Sequence, residues 1–389
     1  IRVFPITING YEKPDSRLIT VRADSSTVVK FYYRKLAAGT EKTAEEQEND
    51  DQGLSMELQK KILEALEQGS STNYTIEEVI YTLHKNEDGT LTIRLNGSTG
   101  QEKLVIPDVI KVAGKTLTIT EIAEKAFYGQ GELKEVVMGS GITKIGKSAF
   151  EDCRKLKKVN IGNNVTVIEE SAFKNCAALE RITISEAVLR IGSHAFEGCK
   201  KLKSLVLKEG LLQIGNKAFY KCSALKNVKI PGSVLQIGKY AFADCKKIGK
   251  FSFAQNASLM RIGDGMLQNA SSLSKIKLPG RLRSIPDHTF RNAVKLENCQ
   301  IGSSVTKIGN SAFQGCKKLQ RLILPGQVQT IGKRTFYQCK KLKKVTIRTV
   351  QLRKIGKEAF KGCASKIQFA VPKGKQTVYA KLLKGKYGK

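Results

Sequence analysis

A repeat of 23 residues occupies most of this chain and constrains its fold more than any other feature. Each of the eleven copies aligns on an isoleucine, and a phenylalanine follows five residues later in all copies but one, which has Leu267. The step lengthens to 25 residues between Ile237 and Ile262 and to 24 between Ile331 and Ile355, so insertions are confined to single loops. The aligned isoleucines are Ile122, Ile145, Ile168, Ile191, Ile214, Ile237, Ile262, Ile285, Ile308, Ile331 and Ile355.

Each copy has the pattern of one coil of a solenoid. The small residue before the phenylalanine suits a close-packed helical turn, and the glycine after the isoleucine suits a tight turn. Six residues beyond the phenylalanine a strand begins, with inward positions such as Leu156, Val159 and Ile161. One coil cannot bury its apolar side alone, but eleven stacked coils can share a core. We therefore predict an α/β repeat solenoid with a parallel β-sheet on one face and a short helical turn in every coil.

The motif I-G-x-x-A-F-x-x-C-x-x-L-x-x-V-x-I, as in residues 145–161, resembles the BspA-like class of leucine-rich repeat. Pro-Gly often follows it, as at Pro231-Gly232, Pro279-Gly280 and Pro325-Gly326. The resemblance implies a right-handed leucine-rich-repeat superhelix with its sheet on the concave face. It also implies an extracellular or cell-surface protein, mostly of host-associated bacteria and some protozoa, that binds host matrix or other cells. It implies no particular ligand.

The composition divides the chain into five predicted segments. Residues 1–36 alternate apolar and polar side chains, and their end is similar to the closing strand of mucin-binding-type β-modules. Residues 37–53 form an acidic linker, and residues 54–121 form a cap of one amphipathic helix and a β-hairpin. The repeats occupy residues 122–363, and residues 364–389 form a C-terminal cap with a basic tail. No apolar run is long enough to span a bilayer, and we interpret the chain, which begins at Ile1, as a segment of a longer precursor.

The cysteines and histidines indicate no catalytic or metal site. Eight of the nine cysteines share one slot, three residues after the phenylalanine, which elsewhere holds Gln130, Ala270 or Ala293. A slot that accepts alanine favours a buried row of thiols over metal ligands, although adjacent thiols would also lie within reach of a disulfide. The three histidines do not pair with a nucleophile or with acidic residues at useful spacing. We therefore predict no enzyme activity, no metal and no cofactor.

The positive charge lies entirely in the repeats. Residues 1–100 hold 12 Lys and Arg against 16 Asp and Glu, whereas the remaining residues hold 55 against 19, a net charge of +36. Basic residues follow the cysteine slot, as at Arg154-Lys155, and also occupy the outward strand positions. The outward set gives the predicted ligand-binding residues, which are Lys158, Arg181, Lys229, Lys250, Lys275, Lys277, Arg321 and Lys344.

This excess of charge favours an anionic partner, because balanced charges would keep a sheet soluble without self-repulsion. The leading hypothesis is a non-catalytic surface or secreted protein whose basic concave face adheres to an acidic host protein, an anionic glycan or a cell-wall polymer. The alternatives are that the charges only solvate a long sheet, and that the repeats are a spacer displaying other domains. Binding of extracellular nucleic acid or another polyanion ranks last, because tyrosines such as Tyr220 lie near the phenylalanine slot and not among the strand lysines.

Overall fold

The computed structural model describes residues 101–112 and 115–385 and, before them, residues 2–3, 11–12, 17–18, 34–35, 60, 62, 64, 73–76, 79–85, 91–98 and 100. The chain divides into two compact units, residues 1–54 and 55–389. The strands described in the first unit are β1 (Arg2–Val3), β2 (Tyr11–Glu12), β3 (Arg17–Leu18) and β4 (Arg34–Lys35). β1 pairs with β3 and β2 with β4, both antiparallel. The predicted acidic linker lies outside the described residues, and the resemblance to a β-module stays a prediction.

The second unit begins with strands that lead into the repeats. These are β5 (Asn73–Ile76), β6 (Val79–Lys85), β7 (Leu91–Ser98), β8 (Lys103–Ile106), β9 (Val109–Val112) and β10 (Lys115–Ile122). β5, β6 and β7 are consecutive antiparallel neighbours, so the segment predicted as a hairpin contains three strands. β7 lies parallel to β10, where the repeats start. In the predicted amphipathic helix, Lys60, Ile62 and Glu64 are helical and Ile62 is fully buried.

The repeats build two parallel ladders of strands. In chain order the strands are β11 (Glu135–Met138), β12 (Lys144–Ile145), β13 (Lys158–Asn160), β14 (Val167–Ile168), β15 (Arg181–Ile184), β16 (Arg190–Ile191), β17 (Ser204–Leu207), β18 (Gln213–Ile214), β19 (Asn227–Ile230), β20 (Gln236–Ile237), β21 (Lys250–Phe253), β22 (Arg261–Ile262), β23 (Lys275–Lys277), β24 (Ser284–Ile285), β25 (Asn298–Gln300), β26 (Lys307–Ile308), β27 (Arg321–Leu324), β28 (Thr330–Ile331), β29 (Lys344–Ile347), β30 (Lys354–Ile355) and β31 (Gln368–Ala370). The odd-numbered strands from β11 to β31 continue from β8, and we call this series the long ladder. The even-numbered strands from β12 to β30 continue from β10, and we call this series the short ladder.

Alternation along each strand of the long ladder separates the core from the surface. In β15, for example, Arg181 and Thr183 are exposed while Ile182 and Ile184 are buried. The aligned isoleucines, such as the fully buried Ile145, form the inward side of the short ladder. The sequence predicts only one sheet, because strands of two residues are too short to show a period of two.

The arc between the isoleucine and the cysteine slot is a series of hydrogen-bonded turns, so the predicted helical turns are not confirmed. The Phe150 N–H donates to the Ala172 carbonyl of the next coil at 2.7 Å, whereas the Glu151 N–H donates to Ser148 of its own coil at 3.1 Å. Alternate N–H groups thus bond between coils, which an α-helix cannot do because its bonds lie within one segment. Ser148 also has a left-handed φ of 52°. A regular helix, Gln376–Leu383, is described at the C-terminal end. The handedness and curvature of the stack stay predictions.

A stack of phenylalanine rings runs through the core. From Phe127 to Phe242 the rings of successive coils lie parallel, with centroids 5.0–5.2 Å apart. Leu267 interrupts the stack, which resumes from Phe290 to Phe360. Such offset ring pairs stabilise a core beyond the apolar area that they bury.

The cysteine slot forms a second row beside the rings. Each of its eight thiols donates a hydrogen bond to the carbonyl of the phenylalanine one coil earlier, as from Cys153 Sγ to Phe127 O at 3.0 Å. All nine cysteines are free, and all are buried except the half-buried Cys363. The prediction of a buried row of thiols is therefore confirmed.

The glycine after the isoleucine is explained by close approach between coils and not by a turn. A Cβ atom on Gly146 would lie 2.5 Å from the Ile122 carbonyl oxygen of the preceding coil, and that contact involves backbone that cannot swing aside. Gly146 does not have a left-handed φ. A side chain at Gly146 would therefore push two coils apart, whereas the copies with Ala123, Glu169 and Pro286 accept a side chain at the same slot.

Both ladders are interrupted close to the coil with the 25-residue step. The short ladder stops after β22 and resumes at β24, and the long ladder stops after β25 and resumes at β27. The coils remain joined through their arcs, for example by the Leu267 N–H, which donates to the Thr289 carbonyl at 2.9 Å. β25 carries Cys299 at a buried position that is aliphatic in neighbouring strands. The interruption changes the shape of the surface above it.

Candidate binding face

The eight predicted binding residues all lie on one surface. They are the outward side chains of the long ladder, and every one of them is exposed, because the inward positions between them are filled by core residues. We call this surface, formed by Lys158, Arg181, Lys229, Lys250, Lys275, Lys277, Arg321 and Lys344, the basic face.

The strand register gathers most of these residues into close pairs. Lys158 is aligned with Arg181, Lys250 with Lys275, and Arg321 with Lys344, each on neighbouring parallel strands. Neighbouring strands are about 4.8 Å apart, so these pairs place like charges side by side. Lys277 shares β23 with Lys275, and Lys229 stands alone, aligned with a serine. Uncharged residues in the same outward column separate the pairs, namely Ser204, Asn227 and Asn298.

The basic face has little internal neutralisation. Lys158 lies 3.8 Å from Glu135, whereas the other seven residues form no salt bridge with any described residue. Basic residues after the cysteine slot include neutralised ones, since Lys155 lies 2.7 Å from Glu132. The hydrogen bond from Lys155 lowers the pKa of the fully exposed Glu132 carboxyl, which keeps that pair ionised.

Two adjoining grooves open on the basic face at the interruption of the long ladder. The first, of about 680 Å³, is lined by Lys277, Asn298, Gln300, Arg321 and Arg348 together with the exposed Ile323. The second, of about 930 Å³, extends past Lys250 and Lys275. Among the described residues, no Asp or Glu lines either groove.

Arg348 and the two amides of the first groove were missed by the sequence interpretation. A search restricted to positive charge passes over Asn298 and Gln300, although they occupy outward strand positions. Arg348 follows the end of β29 and therefore falls outside the strand pattern. A search for every hydrogen-bonding side chain in the outward columns would have found the two amides.

A stripe of exposed apolar side chains is a further feature that the sequence interpretation missed. It consists of Leu189, Leu212, Leu235 and Met260, which are between 39% and 51% exposed and lie two residues before the isoleucine in four consecutive coils. They are neighbours across the coils, since the Leu212 N–H donates to the Leu189 carbonyl at 2.9 Å. The signal in the sequence is that all seven other copies have Thr, Gln or Arg at this slot.

The thiols are poorly suited to nucleophilic chemistry. Burial raises the pKa of the Cys153 thiol to about 12 and raises the pKa of Cys176 and Cys222 well above its ordinary value. Since the thiolate is the reactive form, these groups are unreactive near neutral pH.

The part of the chain that the structure describes contains neither a recognisable metal site nor a helix suited to a membrane. His194 and His288 share one slot with a left-handed φ. His194 bonds to Glu197, so the expectation that no histidine pairs with an acidic residue is wrong for this one. Among the described residues, no group of three or more His, Cys, Asp or Glu could hold a metal ion. The described helices include none that is long and apolar enough to cross a bilayer.

The stacked coils, the two parallel ladders and the exposed charged sheet define the leucine-rich-repeat class of solenoid. The chain belongs to the BspA type leucine rich repeat family, whose model matches residues 120–249 and 260–386. This confirms the family resemblance found in the repeat motif. The comparison with curated proteins finds no match.

Several solved bacterial structures are similar to this chain. The pneumococcal vaccine antigen PcpA is 22% identical, with a TM-score of 0.50 over 82% of this chain and 96% of that one. A leucine-rich repeat protein from Bacteroides ovatus is 25% identical, with a TM-score of 0.38 over 77% of this chain and 100% of that one. A leucine rich cell surface protein from Faecalibacterium prausnitzii is 22% identical, with a TM-score of 0.44 over 81% and 98% of the two chains.

Proposed function

We propose that this chain is a non-catalytic bacterial surface or secreted binding protein whose basic face adheres to an anionic partner. The candidate partners are an acidic host protein, an anionic glycan and a cell-wall polymer. Membership of the BspA-type family supports an interaction role, and the name of the Faecalibacterium prausnitzii protein supports a location at the cell surface.

The observation that carries this proposal is the alignment of like charges on the basic face. Like charges directly opposite on neighbouring strands destabilise a sheet, yet Lys250 faces Lys275 and Arg321 faces Lys344. If these charges only kept the sheet soluble, pairs of opposite charge such as Glu135 and Lys158 would do so equally well and would attract each other. The unneutralised charge is useful when a partner supplies the opposite sign, and it also accelerates association with that partner.

The test is a charge reversal that is confined to one face of the full chain. The variant with Lys158, Arg181, Lys250 and Lys275 all changed to Glu is compared with the wild type for binding to immobilised anionic glycans, matrix proteins and cells. A matched control carries the same change in net charge at exposed residues on or beside the short ladder, namely Arg283, Lys307, Arg353 and Lys354.

We expect the basic-face variant to lose salt-sensitive binding and the control variant to retain it. Equal loss in both variants would show that net charge alone is responsible. Absence of binding by the wild type to every anionic surface would favour the spacer hypothesis.

A further inference from the structure

We propose that the first groove on the basic face is a binding site for an acidic saccharide, with a carboxylate or sulfate group held by Arg321 and Arg348. This inference rests on the proposed function and specifies the site and the chemical class of its ligand. We call this groove, lined by Lys277, Asn298, Gln300, Arg321 and Arg348, the interruption groove.

The fold brings its polar side chains together from four successive strands. Lys277 of β23 is aligned with Gln300 of β25, and Arg321 begins β27 on the other side of the interruption. Arg348 follows β29, where its N–H donates to the Leu324 carbonyl of β27 at 3.0 Å. Two guanidinium groups and one ammonium group therefore line the same groove as the two amides of β25.

The electrostatics of the groove favour an anion. None of its three basic residues forms a salt bridge with a described residue, and Glu297, although adjacent in sequence to Asn298, does not line the groove. The planar guanidinium group donates two parallel hydrogen bonds to carboxylate and sulfate-like oxygens, which a lysine ammonium cannot do. Arg321 and Arg348 therefore provide geometric recognition in addition to charge.

The remaining lining fits a saccharide. The amides of Asn298 and Gln300 each offer donors and acceptors, as sugar hydroxyl groups require. Ile323, which is 46% exposed, provides apolar surface for the C–H face of a sugar ring. The volume of about 680 Å³ lies within the range of roughly 300–1,000 Å³ that is usual for small-ligand sites.

An acidic peptide fits this groove less well. Extended peptides commonly bind by adding a strand to a free sheet edge. A strand inserted between β25 and β27 would need to hold them about 9.6 Å apart, twice the usual strand spacing. Their Cα atoms, however, approach within 8 Å of each other, so no strand fits at the interruption.

The experiment measures binding of the full chain to four soluble probes at two salt concentrations. The probes are a heparin-derived oligosaccharide with sulfate and carboxylate groups, a hyaluronan oligosaccharide with carboxylates alone, polyglutamate and neutral dextran. The variants are Arg348→Gln and Asn298→Ala, and the matched control is Arg353→Gln, which removes an exposed arginine beside the short ladder. Circular dichroism confirms that each variant is folded.

We expect Arg348→Gln to weaken binding of one acidic oligosaccharide at least tenfold, with Arg353→Gln close to the wild type. Asn298→Ala should weaken the same oligosaccharide but not polyglutamate. The two oligosaccharides together distinguish a sulfate ligand from a carboxylate ligand.

Two results would overturn the site assignment and leave the proposed function standing. One is binding of oligosaccharide that Arg348→Gln leaves unchanged while the four-residue reversal of the basic face abolishes it. The other is a preference for polyglutamate over both oligosaccharides. Failure of the wild type to bind any anionic probe would overturn the site and argue against the proposed function as well.

Discussion

Replacing Phe219 by alanine should destabilise the solenoid more than any conservative change at the same slot. The Phe219 ring is fully buried and stacks on two neighbours, Phe196 at 5.2 Å and Phe242 at 5.1 Å. Truncation leaves a cavity between three coils and removes both ring contacts. Replacement by leucine fills most of the space, as Leu267 does naturally at the same slot of another coil.

The magnitude follows from the packing. Truncation of a buried phenylalanine costs about 3–5 kcal/mol, and each ring pair adds roughly 0.5–1.5 kcal/mol, part of which the truncation cost already includes. We therefore expect Phe219→Ala to lower the free energy of unfolding by about 4–6 kcal/mol. A volume-conserving hydrophobic exchange costs less than about 1.5 kcal/mol, and Phe219→Leu, which loses the ring contacts as well, should cost about 2 kcal/mol.

Urea unfolding followed by circular dichroism gives the global stability, and hydrogen exchange gives the local stability. Both are needed, because each coil contacts only its neighbours and the solenoid need not unfold in one step. The amide to follow is that of residue 219, whose N–H donates to the Ala241 carbonyl of the next coil at 2.8 Å. In the alanine variant this amide should lose its protection from exchange first. A cost below 1 kcal/mol for the alanine variant, or equal costs for the two variants, would refute the proposed role of the ring stack.

Three other properties follow from the same structure. Burial raises the pKa of Cys153 from 9.0 to about 12, so ionisation favours the unfolded chain and the urea midpoint should fall as the pH rises from 9 to 12, with a smaller fall in Cys153→Ala. Leu211→Ala should cost about 2–5 kcal/mol because Leu211 is fully buried, whereas Leu212→Ala, at a side chain 42% exposed, should cost about 0.5 kcal/mol in the same urea titration. Gln338 has a left-handed φ of 59°, which glycine adopts more easily, so Gln338→Gly should stabilise the fold by roughly 0.5–1 kcal/mol and raise the thermal midpoint. Gln314 does not have a left-handed φ, so the control Gln314→Gly should lower the midpoint.

The repeat architecture could be predicted because each slot experiences the same environment in every coil. Phenylalanine fills its slot in ten of the eleven copies and cysteine fills its slot in eight, so the alignment of each slot as a row follows from the 23-residue period. The conformation of the arc could not be predicted in the same way. Left-handed slots hold ordinary residues such as Lys221 and Gln338, and the inter-coil hydrogen bonds depend on a neighbour that is distant in sequence.

The candidate site shows the same division. Exposure of Lys250 and Lys275 follows from alternation in a strand, and their alignment follows from the repeat period, so both were accessible from sequence. The interruption groove depends on the loss of pairing between β25 and β27, and no local sequence pattern predicts that loss. Arg348 contributes from beyond the end of its strand, and only the fold shows that it lies beside the groove.

The most direct test of the basic face measures stability and binding on the same variant, Lys275→Glu. The new carboxylate would lie opposite Lys250, which replaces repulsion by attraction and should raise the free energy of unfolding by about 0.2–1 kcal/mol at low salt. The control is Lys307→Glu, an equal charge change on the short ladder opposite Ser284 and Thr330. We predict that Lys275→Glu binds an anionic glycan at least tenfold more weakly while it becomes more stable, and that the control changes neither property appreciably. Unchanged binding by Lys275→Glu, at either salt concentration, would contradict the claim that the basic face serves an anionic partner.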